Sequence, residues 1–218
     1  EGLFLTALKK MIFQEACWEI LFKKLRKDIA YKVSCEDYFL NELQLNFFIA
    51  LGQQCFLNEY VYHLDDIESV FINKIIDKCN NVDIKESFLV VLSCYAPLYK
   101  FLDRVEKIDV FSSNNHEFQD LIRIQIKEPL SELELSTSIE KRGVIKNIIS
   151  NKVKEQYEEN PYPRWTFANE HFQQKFTFNR VLNADIKPNI VYNKNLNSPQ
   201  VLIAGCGTGR QIMQAQRY

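Results

Sequence analysis

The stretch 39–61 constrains the fold of this chain more than any other. Leu40, Leu43, Phe47, Ala50, Leu57 and Val61 recur at spacings of three and four or their multiples, which places them on one face of a helix. Phe39, Phe48, Leu51, Phe56 and Tyr60 widen that face. A helix apolar on most of its sides has to be covered by neighbours. The stretch therefore predicts a helical bundle with this segment at its centre.

The neighbours are legible too. Leu3, Phe4, Leu5 and Leu8 read as an apolar helix. Ser34 with Asp37 has the spacing of a capping box and predicts the start of the central helix. Asp65 with Glu68 opens a helix carrying Ile67, Val70, Phe71, Ile75 and Ile76. A helix near 84–95 is stopped by Pro97, and another is expected near 117–126. Thr137 with Glu140 opens one that runs through Val144, Ile145, Ile148, Ile149 and Val153 to about Tyr157. Period-two alternation is scarce before residue 185, and no repeat of 20–50 residues is visible. Residues 1–158 are thus expected to form an all-helical domain.

Composition narrows the function classes. Hydrophobic residues make up 46% and charged residues 25%, enough apolar surface to fold, which excludes disorder of the whole chain. Residues 1–140 hold 15 basic and 23 acidic side chains, a balance of −8; residues 141–218 hold 12 and 5, a balance of +7. No DNA- or RNA-binding motif accompanies the basic half, so no nucleic-acid partner is expected. None of Cys17, Cys35, Cys55, Cys79, Cys94 and Cys206 forms a CxxC pair. They read as thiols of a reducing compartment, with Cys17, Cys55 and Cys94 among apolar helical residues. His63, His116 and His171 have no ligand spacing, and no metal site is expected. The longest uncharged stretch, 43–58, contains Gln44, Asn46, Gly52, Gln53 and Gln54. It is too short and too polar to span a bilayer. No secretory signal is visible, and the expected location is cytoplasmic.

The pattern changes after residue 158. Pro161 and Pro163 in Glu159-Asn160-Pro161-Tyr162-Pro163-Arg164-Trp165 remove two donors and hold Asn160 and Tyr162 extended. Residues 159–199 read as a linker or lid, polar, with Pro188, Pro199 and several asparagines, and one short helix near 179–184. Val201-Leu202-Ile203-Ala204 then reads as a short buried parallel strand. Gly205-Cys206-Gly207-Thr208-Gly209 follows, with a helix expected from about 208–211. Strand, glycine loop and helix make the first βα turn of a Rossmann-like sheet, in 200–218. Glycines supply positive φ and close backbone approach. Amides at a helix start attract negative charge.

Two cofactor classes use such a turn. The dinucleotide pattern GxGxxG fails here, because Arg210 stands at the sixth position. The GxGxG spacing is present and resembles the first motif of Rossmann-like S-adenosylmethionine-dependent methyltransferases. One departure is Ile203, two before the first glycine, where many such enzymes carry an acidic residue. The string QYEENPYPRW at 156–165 is a second, more specific likeness. It is similar to a bacterial family joining tetratricopeptide or other helical repeats to a methyltransferase domain. ALGQQCFLNEYVY at 50–62 and EFQDLIRIQIKEPLSELEL at 117–135 share the likeness, which spans roughly residues 40–210.

The resemblance implies S-adenosylmethionine as cofactor. Gly205, Gly207 and Gly209 would form the floor under its methionine and ribose parts, with backbone contacts from Ala204, Cys206 and Thr208. The rings of Tyr157, Tyr162 and Trp165 would face the sulfonium, and Arg164 would hold a carboxylate. The same segment reads equally as a rigid strut with Trp165 as its anchor. Cys206 reads as a small residue in a tight turn. The methyl acceptor is a small molecule or a protein. The chain lacks an initiator Met and stops soon after the glycine loop. The expectation is therefore a fragment, with the adenine-side wall and acceptor pocket beyond Tyr218. Such a fragment binds cofactor weakly and transfers nothing. The alternative is a helical interaction module that presents an acceptor to a catalytic domain.

Overall fold

The computed structural model describes residues 2–36, 38–140, 146–159 and 200–215. These residues form helices and turns, with no strand among them. Contacts divide the chain into two units, Glu1–Gly143 and Val144–Tyr218.

The first unit contains α1 (Gly2–Lys10), α2 (Ala16–Cys35), α3 (Glu42–Leu57), α4 (Asp66–Asn81), α5 (Glu86–Ser93), a 3-10 turn (Leu98–Phe101), α6 (His116–Ile122) and α7 (Glu128–Ser138). As the apolar stripe requires, α3 is the central helix: Phe48 through Leu57 are all buried. It packs against α1, α5 and α6, while α2 packs on α4. The ends of the stripe do not share that burial, since Phe39, Leu43 and Val61 are exposed. Gly52 lets α5 come close: a Cβ there would stand 2.1 Å from Ser93 Oγ and 3.2 Å from Ser93 Cβ. Of the cysteines read among apolar neighbours, Cys55 and Cys94 are buried and Cys17 is exposed.

Two expected caps are corrected. Ser34 lies in the last turn of α2 and donates to the Tyr31 carbonyl at 3.0 Å. The capping box of α3 is Asn41 with Gln44: Gln44 N donates to Asn41 Oδ1 at 2.9 Å and Asn41 N to Gln44 Oε1 at 3.1 Å. The two sites have the same spacing, and burial of Val33 and Ser34 carries α2 past the first of them. The Asp65–Glu68 box forms as read. Thr137 is no cap either. Ser136, Thr137 and Ser138 donate back to the carbonyls of Leu133, Glu134 and Leu135 at 2.7–2.8 Å, inside the last turn of α7. The helix expected from there starts instead at α8 (Ile148–Glu159), where Asn147 Oδ1 accepts from the amides of Ile149 and Ser150.

The helix expected near 117–126 runs on to Ser138 through a π turn at Arg123–Lys127. Pro129 explains the turn, because its ring lacks a donor and crowds the carbonyl four residues back. Widening the helix there removes the conflict and aims Gln125 inward. Gln125 is fully buried; its Nε2 donates to Gly52 O at 2.9 Å, and its Oε1 accepts from Leu98 N at 3.3 Å.

In the second unit, α8 is followed by described residues 200–215, which carry the glycine loop and α9 (Arg210–Ala215). Apart from Glu159, the expected linker 159–199 with its helix near 179–184 lies outside the described residues. No described helix is long and apolar enough to cross a membrane.

Candidate functional site

Val201, Leu202 and Ile203 have no regular secondary structure, and a turn begins at Ala204. The expected buried strand is not formed: Leu202 is 92% exposed and Val201 51%. A strand exists through its ladder to a neighbour, and no described residues supply that neighbour.

The loop itself adopts the backbone its glycines allow. Gly205, Gly207 and Gly209 have φ of 68°, 52° and 93°. An L residue in this region costs about 1–2 kcal/mol, so the curvature of the loop demands glycine at each position. A Cβ added to any of the three would meet none of the described residues within 4 Å. Gly209 N donates to Cys206 O at 3.0 Å and closes the turn; Met213 N donates to Gly209 O at 3.2 Å and begins α9. Ala204, Gly205, Cys206 and Gly207 are exposed, while Thr208 and Gly209 are half-buried. The result is a strip of bare main chain with space beside it that no described residue fills.

Of the residues expected to wall this loop, Tyr157 lies on α8 and is 66% exposed. Tyr162, Arg164 and Trp165 lie outside the described residues.

The first unit holds a buried polar network that the sequence reading missed. Arg26 of α2 is 1% exposed and Glu68 of α4 is 3% exposed. Arg26 Nε and Nη2 donate to Glu68 Oε1 at 3.2 and 3.1 Å, and Nη2 also to His63 O at 3.0 Å. The Tyr95 hydroxyl donates to Glu68 Oε1 at 3.0 Å, and the Arg26 guanidinium sits 4.2 Å from the Tyr95 ring centroid. Glu68 Oε2 accepts from Asp65 N at 3.2 Å, so one carboxylate both completes the helix cap and neutralises a buried cation. Lys27 donates to Asp65 and, with the Glu68 amide, holds that carboxyl below its ordinary range. The available signal was register: Arg26 falls on the same face of α2 as Phe22, Ile29, Ala30 and Val33.

Burial also governs the alkaline behaviour of this unit. It pushes the Cys79 thiol up to about 12 from 9.0 and the Tyr62 hydroxyl up to about 12 from 10.0. It raises Tyr95 as well. Each group is kept neutral in the fold but ionises at its ordinary value when unfolded. The stability this contributes is complete below about pH 9 and is lost as pH rises towards 12. Urea midpoints should therefore hold steady from neutrality to about pH 9 and fall beyond it. A midpoint unchanged at about pH 11 contradicts this account.

Between α2 and α3 lies a cavity of ≈ 300 Å³. Leu25, Ile29, Leu43, Phe47 and Phe48 supply its apolar surface. Asp28, Lys32, Tyr38 and Gln44 supply its polar groups. Lys32 Nζ donates to Asp28 Oδ2 at 2.8 Å and stands 5.6 Å from the Tyr38 ring centroid. Gln44 Nε2 donates to the Tyr38 hydroxyl at 2.9 Å, holding the ring in place.

Comparison with protein-family models, with curated proteins and with solved structures finds no match to this chain.

Proposed function

We propose that this chain is part of an S-adenosylmethionine-dependent methyltransferase and that its glycine loop seats the methionine and ribose parts of that cofactor. One observation carries the reading: three glycines in GxGxG spacing, each at positive φ, each with open space where a side chain would be. A bare backbone of this kind fits a ligand that must lie against amides and carbonyls. When bound, the cofactor supplies a methyl group on a sulfonium, passed to an acceptor by in-line displacement that leaves a neutral thioether. The chain's own part is to bind and orient. Gly205, Gly207 and Gly209 would lie under the ligand, with main-chain contacts from Ala204, Cys206 and Thr208. The aromatic faces of Tyr157, Tyr162 and Trp165 would favour a cation, and Arg164 a carboxylate. With Ile203 two before the loop, the cofactor's amino end would need its polar partner elsewhere.

Calorimetric titration of S-adenosylhomocysteine into the full-length protein tests the reading. Gly207→Val should weaken binding by at least about tenfold, both by filling the space beside the loop and by straining a backbone at φ 52°, while the circular dichroism spectrum, which comes mainly from the helices of the first unit, stays unchanged. Absence of binding to the unaltered protein, or equal binding by the variant, removes the proposal.

A second reading rests on the first unit, whose described residues, helices and connecting turns together, form a hydrophobic core. Leu130, Leu133 and Leu135 of α7 are exposed beside it. In this reading the unit presents a protein acceptor to catalytic machinery elsewhere. Capture by residues 1–143 of a protein that the full-length enzyme methylates supports it; methylation of small molecules alone contradicts it.

A further inference from the structure

We propose that the cavity between α2 and α3 is a binding site for an apolar α-amino acid, separate from the glycine loop. Its size sets the first limit. At ~30 Å³ for each water-sized group, ≈ 300 Å³ has room for about ten such groups. That is the scale of a single amino acid with a branched or aromatic side chain. Its lining residues all belong to the first unit and include none of those placed at the glycine loop, so this inference does not rest on the methyltransferase reading.

The chemistry of the lining sets the second limit. Leu25, Ile29, Leu43, Phe47 and Phe48 offer an apolar surface that a hydrocarbon or aromatic side chain would cover. Asp28 and Lys32 are one helical turn apart on α2, so an anion and a cation stand side by side among the lining residues. The two already pair with each other at 2.8 Å, so a ligand carrying one charge would disturb that pair on one side only. A zwitterion adds to both, its carboxylate taking a further bond from the Lys32 ammonium and its ammonium donating a further bond to the Asp28 carboxylate. Both side chains keep part of their surface open to solvent and so remain able to take a further partner. Tyr38, steadied by Gln44, adds a ring and a hydroxyl close to the same charges. Apolar body and paired charged head thus select the α-amino acid over a fatty acid, an amine or a sugar.

The test is calorimetric titration of the full chain with L-phenylalanine and L-leucine, against phenylpropionate, phenethylamine and alanine. Affinity in the millimolar to submillimolar range is expected for a ligand of this size in an open cavity. Phenylpropionate and phenethylamine, each lacking one charge, should bind about five- to tenfold more weakly, and alanine should give no signal. Lys32→Met should remove the advantage of phenylalanine over phenethylamine, and Asp28→Asn its advantage over phenylpropionate. Both positions are at the surface, so the variants should keep the fold, which circular dichroism checks. Binding of no amino acid overturns the proposal. So does binding that survives both substitutions, which places the ligand elsewhere, or phenylpropionate bound as tightly as phenylalanine. Gly207→Val should leave this binding untouched; its loss in that variant assigns the amino acid to the glycine loop and overturns the site.

Discussion

Glu68→Ala should cost the first unit about 3–5 kcal/mol, the loss expected when one partner of a buried ion pair is removed. The substitution leaves the Arg26 guanidinium almost wholly buried with main-chain carbonyls, and no anion, to meet it. It also withdraws one of the two acceptors of the Tyr95 hydroxyl, leaving the Arg26 carbonyl, and half of the α4 capping box. Against a total stability of about 5–15 kcal/mol for an ordinary domain, such a loss brings the unit close to unfolding at room temperature. Urea denaturation followed by far-ultraviolet circular dichroism measures it. Replacing both charges, as Arg26→Met with Glu68→Leu, should recover most of the loss, because an apolar pair needs no compensation. A single variant within about 1 kcal/mol of the parent contradicts the buried-pair account.

Gly52→Val should destabilise the same unit by about 3 kcal/mol, at the upper end of what overpacking a core costs. The new Cβ would stand 2.1 Å from Ser93 Oγ. That hydroxyl is held by its bond to Val90 O at 2.7 Å, and even the Ser93 Cβ is only 3.2 Å away. Helices α3 and α5 must therefore separate. Separation pulls the Gly52 and Ser93 carbonyls from Gln125, whose amide is buried and has no water to turn to. Gly52→Ala should cost less, since alanine gains about 1 kcal/mol of helix propensity over glycine. The decisive measurement is the double variant with Ser93→Gly, which frees the space and should return most of the stability. If Ser93→Gly does nothing for Gly52→Ala, the close approach of the two helices is not the reason for the glycine.

Much of the helical unit was legible because helix periodicity is a local property. The Asp65–Glu68 cap formed as read, and the middle of the apolar stripe became the buried α3, while its ends at Phe39, Leu40, Tyr60 and Val61 lie outside that helix. Ser34 and Thr137 failed as caps for a reason outside their own neighbourhoods. A capping side chain competes with continuation of the preceding helix, and the packing of α2 on α4 extends α2 through Ser34. Arg26 and Glu68 were invisible as a pair because 42 positions separate them. Arg26 could have been flagged by its place on an apolar face, but its partner could not.

The glycine loop divides along the same line. Its three positive φ angles were implied by residue type alone, since only glycine adopts them at little cost. The fate of Val201–Ile203 was not, because a strand depends on hydrogen bonds to another segment, and hydrophobic sequence supplies only the tendency. By itself, then, the sequence determined that residues before 140 are mainly helical, that α3 is covered on its sides, and that the three loop glycines permit a left-handed backbone. Tertiary structure alone decided which cap is used and which charge is buried with which. It also decided that Gly52 marks a helix crossing and that a cavity opens between α2 and α3. Each of these is set by atoms that meet only after distant parts of the chain have packed.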